Sequence, residues 1–401
     1  MIEVIKGGGV TSAAGFSAGA TSAGLKTESG ALDLGILLSD RPATVAGTFT
    51  TNSIESPSVT VSRDRLQKDT SIGLVANSGC ANCSVGDQGY IDATEMTNLA
   101  ASYVGVSSED LFVASTGMIG VELPMALIRQ NITNVALSQD GGSDFAKSIM
   151  TTDSKHKERA VSFVQEGNSI TVGGAAKGVG MIHPNMATML CFITTDANIK
   201  KPYLQSILKD AVNKSFNMID VDGDQSTNDT VLIFANSAAE APEIQEDSEV
   251  SRSFVEAVEY VCIELAKELA RDGEGAQRLI EVTVDGAETI DEARSAAREI
   301  ASSLLVKAMV HGRDPNWGRL VMALGKSGIT LKESKLDIFI SNIHIVSGGV
   351  AIPYYKDAVV SAMSADEVQF RVALNVGDAA ATAWGCDLTE EYVIFNSAYS
   401  T

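Results

Sequence analysis

A mixed fold, α/β or α+β, is predicted by two features of the sequence. Short apolar runs alternate with Gly/Ser/Asn turns through the first half, which is the mark of strands, and the second half carries runs with apolar residues three to four apart, which is the mark of helices. The 401 residues are enough for a large core, as two domains or one composite one. With 45% hydrophobic and 20% charged residues, the composition is that of a soluble globular protein, and the 35 glycines point to many tight turns.

Strands are expected at "LDLGILLSD" (32–40), "ATVAGTFTTN" (43–52), "IGLVANSG" (72–79) and "DLFVASTG" (110–117). Helices are expected at 88–103 and 122–138, the latter opening with Glu122 and Pro124, which suit a first turn. Phe254, Val258, Val261, Leu265 and Leu269 share one face of a helix that Gly273 stops, and the strand "RLIEVTVDG" follows. A further helix is predicted over 290–309, ended by "GRDPNWGR" (312–319) through Pro315 and Gly318. "EEYVIFNSAY" reads as a last strand. No repeat, low-complexity tract or Pro-rich linker marks a boundary, and the pattern alone does not give the topology.

The formal net charge is −21, and no Lys/Arg cluster is dense enough to follow a phosphate backbone. Nucleic acid and anionic membranes are therefore disfavoured partners. The N-terminus has no apolar core of signal-peptide length, and no apolar run is long enough to span a bilayer, so a cytoplasmic protein is expected. An odd count of five cysteines without a secretory signal argues for reduced thiols. "CANC" (80–83) lacks a second CxxC, and four histidines are too few to complete a site readily, so Cys80 and Cys83 read as loop thiols. No metal or bound cofactor is expected.

The chemistry concentrates in "GAAKGVGMIHPNMATMLCFI" (174–193). "MLCFITTD" is a continuous apolar run of strand length, expected to be buried on both faces, and Thr188 stands at its entrance. By itself Thr188 is a β-branched strand residue. A threonine hydroxyl becomes a useful nucleophile when its own α-amine, freed by cleavage before it, acts as base. That amine has a reference pKa of about 7.7 to 8.0, so a substantial fraction is neutral near physiological pH. The hydroxyl can make the cut itself by attacking the preceding carbonyl in a strained turn. Small Ala187 leaves that carbonyl approachable, and Pro184 biases His183 towards extended geometry. Lys177, among glycines, could anchor a substrate carboxylate where the backbone approaches closely.

"AKGVGMIHPNMATMLCFITTDANI" (176–199) closely resembles the self-cleaving segment of the ornithine acetyltransferase family, the bifunctional glutamate N-acetyltransferase/amino-acid acetyltransferases. "DLGILLSDRPATVAGTFTTN" (33–52), "MTTDSK" (150–155), "DGDQSTNDT" (222–230), "DGEGA" (272–276), "LVKAMVHGRDPNWGR" (305–319) and "YVIFNSAYST" (392–401) fall in family order, so the resemblance covers essentially the whole chain. The sequence departs from the family at Cys80, Cys83, Ser84, His156 and Gln225, none of them in the central motif.

The resemblance implies an αββα-like layered sandwich of the N-terminal-nucleophile type. Cleavage between Ala187 and Thr188 would give an α chain (1–187) and a β chain (188–401) sharing one core. Thr188 would take the acetyl group of N-acetylornithine and pass it to glutamate, with acetyl-CoA left open as a second donor. Thr116 and Gly117 in "STGMIG" match the oxyanion element, where one donor is typically worth roughly 3 to 4 kcal/mol of barrier. Thr151, Lys177, Glu274, Asn396 and Thr401 match substrate-binding positions, with Thr152 as the alternative to Thr151. An α2β2 heterotetramer is implied as well. His183, His311 and the charges of "GRDPNWGR" read as structural, the latter mutually satisfied. Two other classes stay open: an N-terminal-threonine amidase or aminopeptidase passing the acyl group to water, and an uncleaved binding protein.

Overall fold

The computed structural model describes residues 1–183 and 189–398. One strand organises its first layers. Leu34–Phe49 pairs along its first half with Phe16–Thr21 and Thr70–Cys80, and along its second half with Thr230–Ala235. Its register against Thr70–Cys80 shifts between Leu38 and Ala43, around exposed Asp40, Arg41 and Pro42. Such an irregularity bends a strand and increases its twist.

The bend folds one sheet into two layers. Its order is Glu3–Val4, Lys157–Gln165, Asn168–Lys177, Leu190–Thr195, Thr230–Ala235, Leu34–Phe49, Thr70–Cys80 and Leu111–Met118, with Phe16–Thr21 beside Leu34–Phe49. Two strands separate Leu111–Met118 from Thr230–Ala235 in this order. Nevertheless Phe112 and Phe234, one on each, meet edge to face at 5.8 Å. The apolar filling between the layers includes Leu74, Phe112, Phe192 and Phe234.

Helices close both outer faces. Lys201–Lys214 and Glu249–Arg271 pack on one, Pro57–Arg65 and Gln88–Val104 on the other, which completes the helix/sheet/sheet/helix sandwich. Leu190–Thr195 lies in the interior: Leu190 and Phe192 face the middle while Cys191 and Ile193 face the helices. That explains its unbroken apolar run. Gly174 on the neighbouring strand leaves room for the helix, since a Cβ there would sit 3.1 Å from Leu265 and Val261.

A second sheet runs Val350–Ala351, Ile343–Ser347, Asp337–Ile340, Glu367–Ala373, Leu279–Ala287, Ala379–Cys386 and Ile219–Asp220. Helix Glu249–Arg271 touches both sheets and joins the two parts through one core. Among the described residues, no helix is long and apolar enough to cross a membrane.

The structure corrects several sequence expectations. The runs at 32–40 and 43–52 belong to one strand. The helix expected at 122–138 is confined to Met125–Asn131 with a following turn. The helix expected at 290–309 is two, Ile290–Ala301 and Leu304–Gly312, because Ser303 caps the second by accepting the Val306 N–H. The expected last strand is a helix, Glu390–Ala398. Glu390 and Glu391 suit its N-terminal dipole, and Val393 and Ile394 stay exposed. Cys80 ends a strand, and both it and Cys83 are buried free thiols.

Candidate active site

Lys177 is the last residue of its strand and pairs with Leu190, two residues after position 188. Its side chain is buried, and its Nζ donates to Thr116 Oγ1 at 3.1 Å and Thr151 Oγ1 at 2.8 Å. An ammonium has three donors, so one is without a partner among the described residues. Burial pushes its pKa down, against the opposing pull of Asp153.

Thr116 and Gly117 end the strand Leu111–Met118. Gly117 has φ +128°, and a Cβ there would lie 2.3 Å from the Gly79 carbonyl carbon, so the position demands glycine. Both residues line a cavity of about 350 Å³, room for an amino-acid derivative.

The same cavity is lined by Glu274, in the turn after helix Glu249–Arg271. Its Oε1 accepts from Thr152 Oγ1 at 2.7 Å and its Oε2 from Asn396 Nδ2 at 2.8 Å. Gly180 permits this approach: a Cβ there would stand 2.6 Å from the Glu274 carboxyl carbon. Thr151 and Thr152 thus divide the work, one touching Lys177 and the other Glu274. Asn396 arrives on a helix, not on the strand expected from its sequence.

A buried charge cluster supports Lys177 from below. Asp153 Oδ1 accepts from Lys157 Nζ at 2.7 Å and from Gly178 N–H at 3.0 Å, and Lys157 also reaches Asp272 at 2.7 Å. Burial pushes the Asp153 carboxyl up, but Lys157, Lys177 and the Gly178 N–H outweigh it and hold the group below the usual carboxylate range.

Towards the segment containing Thr188, Asp222 accepts the N–H groups of Met181 and Ile182 at 2.6 and 2.9 Å and the Tyr392 hydroxyl at 3.3 Å. His183 Nδ1 lies 2.9 Å from Asp220, which also meets Lys307 at 3.1 Å. Ala187, Thr188 and Thr401 lie outside the described residues. The next residue after Thr188 is fixed: Met189 N–H donates to Asp229 Oδ1 at 3.0 Å, and its carbonyl accepts from Thr230 N–H at 3.1 Å.

Other sequence candidates lie elsewhere. His311 stands 3.2 Å from Glu390. Among the described residues no ion pair joins Arg313, Asp314 and Arg319. Instead Arg319 donates to the Leu305 carbonyl, which corrects the expectation of mutual satisfaction. The described residues contain no group of three or more His, Cys, Asp or Glu able to hold a metal. The sequence reasoning assigned no role to Asp153, Asp222, Asp229 or Tyr392. Three of these aspartates sit in quoted blocks, "MTTDSK" and "DGDQSTNDT", but aspartate near a turn carries no signal of its own.

The model of the ArgJ family matches residues 17–401. The arginine biosynthesis bifunctional protein ArgJ of Dehalococcoides mccartyi is 45% identical over 401 residues, all of this chain and 99% of that protein. The protein of the same name from Symbiobacterium thermophilum is 46% identical over 397 residues, 98% of this chain and 99% of its own. The crystal structure of the Bacillus halodurans ArgJ protein is 41% identical, with a TM-score of 0.51, covering 52% of this chain and 98% of that one.

Proposed function

The chain belongs to the ArgJ family, and on that premise we propose that it is a glutamate N-acetyltransferase that moves the acetyl group of N2-acetylornithine to glutamate. The observation that carries this reading is the cavity lined by both Lys177 and Glu274, the first offering a cation for a carboxylate and the second a carboxylate for an ammonium. That is the pairing an amino-acid substrate requires.

In this mechanism the chain cuts itself between Ala187 and Thr188. The Thr188 α-amine takes the proton from its own hydroxyl as Oγ attacks the acetyl carbonyl. Thr116 Oγ1 and the Gly117 N–H donate to the oxygen that becomes negative. Ornithine leaves with a proton, and the acetyl group stays as an ester on Thr188. Glutamate then enters the same cavity, its amine attacks the ester, and N-acetylglutamate departs. Thr151 and Thr152 hold Lys177 and Glu274, and Asn396 steadies the Glu274 carboxylate. Thr401 joins the substrate contacts in this reading.

Two further observations support it. Leu190–Thr195 is a central strand, so a new N-terminus at Thr188 would lead into a rigid support. The Bacillus halodurans chain is matched almost end to end by about half of this one, the length of one maturation product. The α and β chains would assemble as a cytoplasmic α2β2 heterotetramer.

The test is intact mass under denaturing conditions for the protein and for Thr188→Ala. Two fragments, the second beginning at Thr188 and absent from the variant, are expected. A single full-length species in both would remove Thr188 as nucleophile. Acetyl transfer assayed with and without glutamate, and with acetyl-CoA as donor, then separates transferase from amidase and decides the donor.

A further inference from the structure

Asn228 is buried, lines the cavity and has no part in the mechanism above. Its Nδ2 donates to two backbone carbonyls at once, Ala81 at 2.6 Å and Ser115 at 2.7 Å. Its Oδ1 accepts from Thr227 Oγ1 at 2.6 Å, so the amide has one orientation that satisfies all three partners. The Ser115 carbonyl belongs to the strand end that carries the expected oxyanion element. The Ala81 carbonyl belongs to the segment beside it, whose own Ala81 N–H is bonded to the Met118 carbonyl at 2.9 Å.

We propose that Asn228 is a positioning residue for acyl transfer: its forked amide fixes the Ser115–Thr116 peptide so that the Thr116 hydroxyl and the Gly117 N–H meet the oxygen that becomes negative. The inference rests on the acetyltransferase reading and on the oxyanion role of those two residues. A peptide unit is planar, so holding the Ser115 carbonyl sets the plane that ends at the Thr116 Cα, from which both donors are built. Among the described residues Leu111–Met118 pairs only with Thr70–Cys80, and the fork supplies a tie at its end that sheet pairing does not.

The same short segment also holds the entrance of the strand Leu190–Thr195. Asp229 Oδ1 accepts the Met189 N–H at 3.0 Å, and the Thr230 N–H donates to the Met189 carbonyl at 3.1 Å. Asn228 to Thr230 therefore tie that strand to the strand end bearing Thr116 and Gly117. A primary amide suits the task, because one nitrogen supplies two N–H groups for two carbonyls and adds no charge beside the buried Asp229. An asparagine that served stability alone would satisfy the two carbonyls equally well, so the two roles separate in kcat.

The experiment is acetyl transfer from N2-acetylornithine to glutamate by the purified full chain, with intact mass and a thermal melt for each variant. Asn228→Ala is expected to cut itself and to keep KM within a few-fold of wild type, while kcat falls about 100-fold, the cost of misplacing a catalytic group by about 1 Å. Asn236→Ala is the control. Asn236 is a buried amide just past the far end of the strand Thr230–Ala235, where its Nδ2 donates to the Ala14 carbonyl and to Ser39 Oγ, so its loss should lower the melting temperature and leave kcat unchanged. Thr116→Ala, alone and combined with Asn228→Ala, gives a readout that a structural tie would not move. The double variant should lose far less kcat than the product of the two single losses, because both act on one oxyanion. Losses that multiply, or kcat of Asn228→Ala within a few-fold of wild type, overturn the proposal. Should Asn228→Ala fail to fold or to cut, Thr227→Val decides, since Thr227 orients the amide: its kcat is expected to fall about 3- to 10-fold, and an unchanged kcat overturns the proposal. Transfer absent from the wild type removes the acetyltransferase reading and this role with it, whereas an active wild type leaves only Asn228 in question.

Discussion

Lys177 Nζ stands 3.1 Å from Thr116 Oγ1, a contact between residues 61 apart in sequence that joins the two layers of the folded sheet at their common end. The contact places the expected carboxylate anchor against the expected oxyanion donor. Because the layers are held by Phe112 on Phe234, the geometry of the site depends on the core behind it.

Lys177→Met should raise KM for the acyl-amino acid by about 10- to 150-fold, the value of one hydrogen bond to a charged group. In the wild type, KM should climb as pH rises through the depressed pKa of Lys177, below the range of an ordinary lysine, and the variant should lose that limb. Burying this amine is a stability cost, because the unfolded chain binds its proton more tightly. The cost is full below the folded pKa and relieved as pH rises towards about 10.4, so Lys177→Met should not lower the melting temperature at neutral pH. Steady-state kinetics against pH and thermal melts check both.

Glu274→Gln keeps the side-chain shape and one acceptor but removes the charge proposed to meet the substrate ammonium. KM for the amine-bearing substrate should rise by about 10- to 100-fold with little change in melting temperature. Equal losses for substrates with and without that amine would assign Glu274 to holding Thr152 and Asn396 only.

Lys157→Met should be the most damaging single change to stability. Its side chain is fully buried between Asp153 and Asp272, and removing one partner of such a pair typically costs roughly 3 to 5 kcal/mol. The depressed pKa of Asp153 adds an acid signature. A depressed carboxyl contributes stability above its unfolded pKa of about 3.9, and that stability is lost as pH falls through the folded value. Without Lys157 the acid unfolding midpoint should move to higher pH, as circular dichroism would read.

The fold was legible where one physical signal dominates. The apolar run at Leu190–Thr195 announces a strand buried on both faces, and the spacing from Phe254 to Leu269 announces a helix with one buried stripe. Glu390–Ala398 misled because its continuous β-branched and aromatic run, Tyr392 to Phe395, mimics a strand, while among the described residues no strand pairs with it and Val393 and Ile394 stay exposed. Lys177 was legible as a charge among glycines, whereas Thr116 and Glu274 were found through resemblance to a family, and composition alone would have left Glu274 as a helix-end charge. The supports were invisible because they depend on contacts between distant segments: Lys157 with Asp272, Asp229 with Met189 and Tyr392 with Asp222.

Gly117→Ala tests the tightest steric demand on the site. The new Cβ would sit 2.3 Å from the Gly79 carbonyl carbon, and φ +128° is costly for alanine, about 1 to 3 kcal/mol before the clash is counted. Relief requires the end of Leu111–Met118 to move away from Thr70–Cys80, which carries Thr116 away from Lys177. Activity should therefore fall more than stability. Gly120→Ala is the control: it also has a positive φ, +79°, but nothing lies within 4 Å of its Cβ. It should cost about 1 kcal/mol in a denaturant melt and leave kcat unchanged.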